Sequence, residues 1–261
     1  PTWDDLYDPF LLNDMDKAVK AISEAIKNNK KIFVHGDFDV DGITATSILW
    51  SFLYRELNAS ALPYIPNRFT EGYGLSEESI QAIINQGGEL IITVDCGVKD
   101  IELVSKYSDK IDFIITDHHS LRDYDTEVKV KDSRKIGENI ISSKALAVVH
   151  PALNTNYPFQ DICGALLSWK FCYALNEYIG AGVDMRKYID LVALGTICDI
   201  MPLIDENRTI VKLGLEQMKK TENVGLKALF EVSRLDPKNI EAYHIGFIIG
   251  PRLNASGRLE S

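Results

Sequence analysis

The chain has 261 residues, 46% of them hydrophobic, enough to bury a sizeable core as one large domain or one domain with a partial second. Its formal net charge of −10 argues against broad electrostatic adhesion to nucleic acid, although cations bound in a carboxylate cluster would offset part of that charge locally. The four cysteines (Cys96, Cys163, Cys172, Cys198) have no CxxC spacing, no apolar stretch approaches the length of a bilayer span, and PTWDDLYDPF lacks the features of a signal peptide; a soluble cytoplasmic protein with reduced thiols and no membrane contact is expected.

In chain order, short apolar runs alternate with segments of helical period. KIFVHG precedes ITATSILWSFLYREL, ALPYIP precedes SEESIQAIINQ, ELIITVDCG precedes IELVSKY, and IDFIITDHH and KALAVVHP follow. This alternation predicts an α/β fold, a parallel β-sheet flanked by helices. Burial of both sheet faces explains why the strands are nearly continuous Ile, Val, Phe and Leu. Leu121 to Lys144 is polar without a strong period and reads as an irregular surface excursion. From about Ile162 the pattern turns helical, in ICGALLSWKFCYALNEYI, MRKYIDLVALGTICDI and RTIVKLGLEQMKK, which predicts a helical C-terminal portion packed on the sheet. The last residues, GPRLNASGRLES, form no obvious element.

Between the first strand and helix, FVHGDFDVDGITA sets His35, Asp37, Asp39 and Asp41 on alternate positions. DFDVDG matches the opening of an EF-hand loop, but the glutamate expected at its twelfth position falls on Ile48, and the preceding KIFV reads as a strand where an EF-hand has a helix. One aspartate would suffice to cap the following helix, and three with a histidine exceed that need. Asp95 ends a second strand, and Asp117, His118 and His119 end a third. In an open parallel sheet, ligands bind beyond the carboxyl ends of the strands, and close carboxylates repel unless protons or cations intervene, so a metal centre is the natural reading. Carboxylates mixed with imidazole suit manganese or magnesium better than thiolate-bound zinc. Asp199, at the end of an apolar helical run before Pro202, sits against the helix dipole, which makes a cation partner plausible.

Together these residues resemble the DHH phosphoesterase superfamily, named for the triplet present here as Asp117-His118-His119. Within it, HGDFDVDGITATSIL, YIPNRFTEGYGLS, IITVDCGV, TDHH, LVALGTICDIMPL and GPRLNASGR resemble the branch of single-strand-specific 5′→3′ DNA exonucleases. The resemblance implies two divalent ions, Mn2+ or Mg2+: one on His35 and Asp39, the other on Asp41, His118 and Asp199, with Asp95 bridging both. Asp37 and Asp117 would orient ligands, and His119 would face the scissile phosphate as an electrostatic stabiliser or proton donor. Arg68 is read as the contact for a terminal 5′-phosphate, and Arg252, Asn254, Gly257 and Arg258 as contacts to backbone phosphates. Phe69 and Tyr73 are read either as base-stacking or as core residues.

The implied activity is hydrolysis of single-stranded DNA from a 5′ end to 5′-mononucleotides, in DNA repair and recombination. The implied partners are that DNA, a single-strand-binding protein and a recombination helicase. The expected organisation is a catalytic α/β domain over 1–200 and a helical extension over 201–261 that completes it; the further domains usual in the branch are not visible in this sequence. Two alternatives stand beside this: a DHH phosphodiesterase acting on short oligonucleotides or cyclic dinucleotides, and a replication scaffold without metal. Leu166 stands where the branch leads one to expect glycine or another small residue.

Overall fold

The computed structural model describes residues 1–121, 143–153 and 156–256. Five strands, β1 (Ile32–Gly36), β2 (Ala61–Tyr64), β3 (Leu90–Val94), β4 (Asp112–Thr116) and β5 (Ala147–Val149), form one all-parallel sheet in the order β2-β1-β3-β4-β5. All five are the predicted ones. Alternate residues serve opposite faces, as the pleat demands. Ile32, Val34, Ile92 and Ile114 enter one core, and Phe33, Ile91, Phe113 and Ile115 enter the other.

The helices divide accordingly. Helices α3 (Glu77–Asn85) and α4 (Ile101–Tyr107) cover the second face through Ile80, Ile83 and Val104. The first face is covered by α1 (Met15–Lys27), α2 (Val40–Ser51) and α5 (Gly164–Ile179). Helix α1 was not among the sequence predictions, although Met15, Ala18, Val19, Ile22 and Ala25 form a buried stripe at helical spacing. Its entrance also protects the sheet: Asn13 Nδ2 donates to the Val148 carbonyl at 3.1 Å, and Asp14 Oδ2 accepts from Val148 N at 3.3 Å, occupying backbone groups of edge strand β5.

The helical C-terminal portion continues through α6 (Ile189–Cys198), α7 (Asp205–Met218) and α8 (Val224–Val232). A buried ion pair ties α5 to α7, with Lys170 Nζ 2.9 Å from Glu206 Oε2. Lys170 also donates to the Tyr7 carbonyl at 2.8 Å, and the Tyr157 hydroxyl donates to Glu206. The segment GPRLNAS, expected to lack structure, is helix α9 (Gly250–Ser256). A wide π-helical turn, Ile245–Ile249, leads into it and accommodates Pro251, which lacks an N–H and crowds the preceding turn. Leu166 is fully buried in the core, and the small residues at that helix start are Gly164 and Ala165. The predicted excursion from Leu121 to Lys144 lies mostly outside the described residues.

The chain runs from β1 to β2 on one side and then crosses to β3 on the other side of β1. That reversal opens a crevice beyond the carboxyl ends of β1 and β3, where doubly wound sheets bind their ligands.

Candidate metal centre

Strand register brings the acidic residues together before any side-chain contact is considered. Gly36 pairs with Val94, and Val94 with Thr116, so the three strands end in one row. The next residues are Asp37, Asp95 and Asp117. Asp95 takes a left-handed backbone conformation (φ 61°), which aspartate tolerates better than most residues and which turns the chain sharply off β3.

Helix starts supply the second layer. Asp39 caps α2, its Oδ1 accepting from Gly42 N at 3.0 Å. Asp41, buried in the first turn of α2, accepts from Gly164 N at 2.6 Å and Ala165 N at 2.9 Å, the first amides of α5. These contacts require missing side chains: a Cβ on Gly164 would lie 2.5 Å from Asp95 Cβ, and one on Gly195 would lie 2.5 Å from Asp41 Oδ1. Asp199 closes α6, and its Oδ2 reaches within 3.7 Å of His118 Nε2.

The triplet divides its labour. Asp117 faces inward: its Oδ1 accepts from His118 N at 2.7 Å, His119 N at 3.0 Å and His119 Nδ1 at 2.8 Å, and its Oδ2 from Val98 N at 2.9 Å. That saturation leaves Asp117 to shape the turn. His118 Nε2 instead lies among carboxylates, 2.9 Å from Asp95 Oδ1 and 3.6 Å from Asp41 Oδ2.

Three groups of ligand atoms, each within 4.8 Å of one another, result among the described residues: Asp37, Asp39 and Asp95; Asp41, His118 and Asp199; and Asp95, His118 and His119. Asp95 and His118 each belong to two. Buried atoms without hydrogen-bond partners mark the same place, namely His35 Nε2, Asp37 Oδ1 and Asp199 Oδ2. The electrostatics are those of anions awaiting a cation. Burial, then Asp41 and Asp39, raises Asp95 well above the usual carboxylate range and pushes Asp199 up to about 7. Burial, reinforced by Asp39, raises Asp37 to about 6. Burial lowers His35 to about 4, leaving the neutral imidazole that a metal ligand needs. Oxygen-rich, thiolate-free donors of this kind fit hard divalent cations.

The remaining candidates are placed as follows. His35, fully buried at the end of β1, stacks on Tyr64 with ring centroids 5.2 Å apart and lies outside the three groups, whereas Asp37 is inside one. The Arg68 guanidinium sits 5.0 Å from the Phe38 ring centroid, beside the acidic loop. Arg252 Nη1 donates to its own helix at Ile248 O at 2.8 Å. Asn254 Oδ1 accepts from Val40 N at 3.1 Å, tying α9 to the acidic loop. Gly257 and Arg258 lie outside the described residues. Phe69 is exposed, and the part-exposed Tyr73 turns its hydroxyl inward, 3.0 Å from His119 Nδ1 and 3.3 Å from the Asp95 carbonyl oxygen. Two contributors were missed: the Tyr73 hydroxyl and the Gly164–Ala165 amides, neither of which has a spacing signature. A surface groove of about 850 Å³ lined by Trp3, Tyr7, Phe10, Trp169 and Tyr173 lies along the far half of α5 and contains none of these groups.

The family profile "DHH family, N-terminal domain" matches residues 31–196, well over half of the chain. The chain belongs to the DHH family. The DHH chain is 38% identical over 258 residues to the single-stranded-DNA-specific exonuclease RecJ of Bacillus subtilis (strain 168), covering 98% of this chain and 30% of the relative. It is 34% identical over 263 residues to RecJ of Escherichia coli (strain K12), covering 95% of this chain and 42% of the relative. The DHH chain thus spans less than half the length of these curated relatives. Among solved structures, an exonuclease RecJ bound to manganese superposes with a TM-score of 0.78 at 33% identity, over 95% of this chain and 58% of the other. RecJ from Thermus thermophilus in complex with Mn2+ superposes with a TM-score of 0.74 at 32% identity, over 95% of this chain and 33% of the other. Among the described residues, no helix of the DHH chain is long and apolar enough to cross a membrane.

Proposed function

We propose that this chain is the catalytic portion of a metal-dependent 5′→3′ exonuclease that hydrolyses single-stranded DNA to 5′-mononucleotides, in DNA repair and recombination. One observation carries the reading: Asp37, Asp39 and Asp95 meet Asp41, His118 and Asp199 at one sheet edge. Similarity over 98% of the chain to a single-stranded-DNA-specific exonuclease supports it. Residues 1–200 form the catalytic unit of this reading and 201–261 the helical extension that completes it.

Asp39 and Asp95, with His35 Nε2 and Asp37 Oδ1 as further unpartnered donors, would hold one divalent ion, manganese or magnesium. Asp41, His118 and Asp199 would hold the other, with Asp95 shared between the two. When bound, such ions supply Lewis-acid stabilisation of the attacking and leaving oxygens in displacement at phosphorus. His119, one-third exposed, faces the scissile phosphate. Burial opposes its charged form, but its hydrogen bond to Asp117 and that carboxylate's charge outweigh this, so its pKa rises and it keeps its proton to higher pH. Its Nδ1–H is committed to Asp117, so Nε2 is the atom that stabilises or protonates a departing oxygen.

Arg68 grips a terminal 5′-phosphate, its guanidinium suiting phosphate oxygens. Arg252, Asn254, Gly257 and Arg258 contact backbone phosphates; the Asn254 amide NH2 remains a donor while its oxygen holds Val40 N. A single-strand-binding protein, a recombination helicase and a cytoplasmic location complete the reading by family resemblance. A length series of 5′-labelled single strands with manganese tests it. Degradation of long strands is expected; degradation confined to di- to pentanucleotides would mark a short-oligonucleotide phosphodiesterase instead.

A further inference from the structure

We propose that His150 is a positioning residue for His119: its imidazole holds the His119 carbonyl oxygen and thereby fixes the last residue of the triplet against the reacting phosphate. The phosphate half of this statement rests on the proposed function, whereas the positioning half does not.

His150 is the first residue after β5 and is 1% exposed. Its Nε2 lies 2.9 Å from the His119 carbonyl oxygen, and Ala152 N donates to its Nδ1 at 3.1 Å. These two partners assign the ring: Nδ1 accepts, so Nε2 carries the proton and donates. Burial lowers the His150 pKa and so favours this neutral form, which can do both at once.

The need for such a clamp follows from how His119 is otherwise held. Its N–H and ring Nδ1 both go to Asp117 Oδ1, at 3.0 and 2.8 Å, and the Tyr73 hydroxyl lies 3.0 Å from the ring. All three contacts act on the amide or ring, and none on the carbonyl side. That side is where the chain departs toward residues 122–142 before returning as β5. β5 is well anchored, paired with β4 and held by Asn13 and Asp14 through Val148. The bond from His150 therefore carries the rigidity of β5 and the start of α1 to the triplet. A shift of about 1 Å in a positioned group can cost on the order of a hundredfold in rate.

The test uses the chain labelled with 15N-histidine, as wild type and as His150→Ala, His150→Asn and His150→Gln. Glutamine puts a donor nitrogen near the reach of imidazole Nε2, whereas asparagine reaches only as far as Nδ1. Histidine NMR at neutral pH is expected to show His150 as the Nε2–H tautomer. The His119 ring signals are expected to shift in His150→Ala and His150→Asn and to return in His150→Gln. Steady-state cleavage of bis(p-nitrophenyl) phosphate and of 5′-phosphorylated single-stranded DNA with manganese is then compared. kcat should fall about 10- to 100-fold in the alanine variant, with KM and manganese affinity unchanged, and recover in the glutamine variant. An Nδ1–H tautomer at His150, His119 signals indifferent to alanine, or activity lost equally in the alanine and glutamine variants in step with Tm would overturn the proposal. If the wild-type chain cleaves neither phosphodiester, the functional reading fails and the His119 signals alone decide the role of His150.

Discussion

Asp95 sits where several constraints meet: a left-handed backbone, a glycine packed against its Cβ, and a 2.9 Å contact to His118. Removing its carboxylate takes a shared donor from both ligand groups and a repelling charge from a buried cluster. Asp95→Ala is therefore expected to abolish metal-dependent hydrolysis while the metal-free Tm stays within a few degrees; full activity in the variant would end the bridging assignment. Gly164→Ala should lower activity without deleting any donor, because its Cβ would displace Asp95, and manganese titration should read the loss directly. At this scale Asp37, Asp95 and Asp117 were legible in the sequence because each follows the last residue of an apolar strand. How His35 and Asp37 stand relative to the cluster was not. His35 is still within β1, where its ring stands off the sheet against Tyr64, and Asp37 lies beyond the strand end where the chain turns. Tyr73 was read as stacking or core because an isolated aromatic in a loop carries no sign of where its hydroxyl points.

The five strands were legible as elements because a sheet buried on both faces leaves uninterrupted apolar runs, and α2 to α4 followed from the helical period between them. Helix α9 was obscured by Gly250 and Pro251, residues that ordinarily break helices. No spacing rule could have shown that α5 and α7 are tied through Lys170 and Glu206. Both are buried, and Lys170 has its ammonium pKa lowered by burial despite Glu206. Lys170→Met would leave Glu206 as an uncompensated buried charge, at a cost of about 3–5 kcal/mol. Urea denaturation should show that loss as a lower midpoint with unchanged slope. A double variant, Lys170→Met with Glu206→Gln, should recover part of it. If the single variant is as stable as the wild type, the pair contributes nothing.

Over the whole molecule, the strand order turns three separated sequence motifs into one edge, and the charge gathered there couples folding to pH and metal. Asp199, raised to about 7, and Asp37, raised to about 6, keep protons that the unfolded chain has already released. Their contribution is present at low pH and is lost as pH rises through those values. His119, also raised, acts in the same sense. His35, lowered to about 4, and His118 and His150, also lowered by burial, act oppositely, but their effect falls mainly below the ordinary histidine value of 6.5. Without metal, Tm should thus decline from about pH 6.5 to about pH 8, and manganese should reverse the decline at the upper end. A metal-free Tm that is flat or rising over that window would contradict the picture of an uncompensated acidic cluster.

Incubation of the chain with 5′-phosphorylated single-stranded DNA and manganese, with the label at either end in parallel, decides whether it is a 5′→3′ exonuclease. Mononucleotides are expected first from the 5′ end, with no cleavage in EDTA. Cleavage beginning at the 3′ end or internally, or proceeding without divalent metal, would contradict that reading.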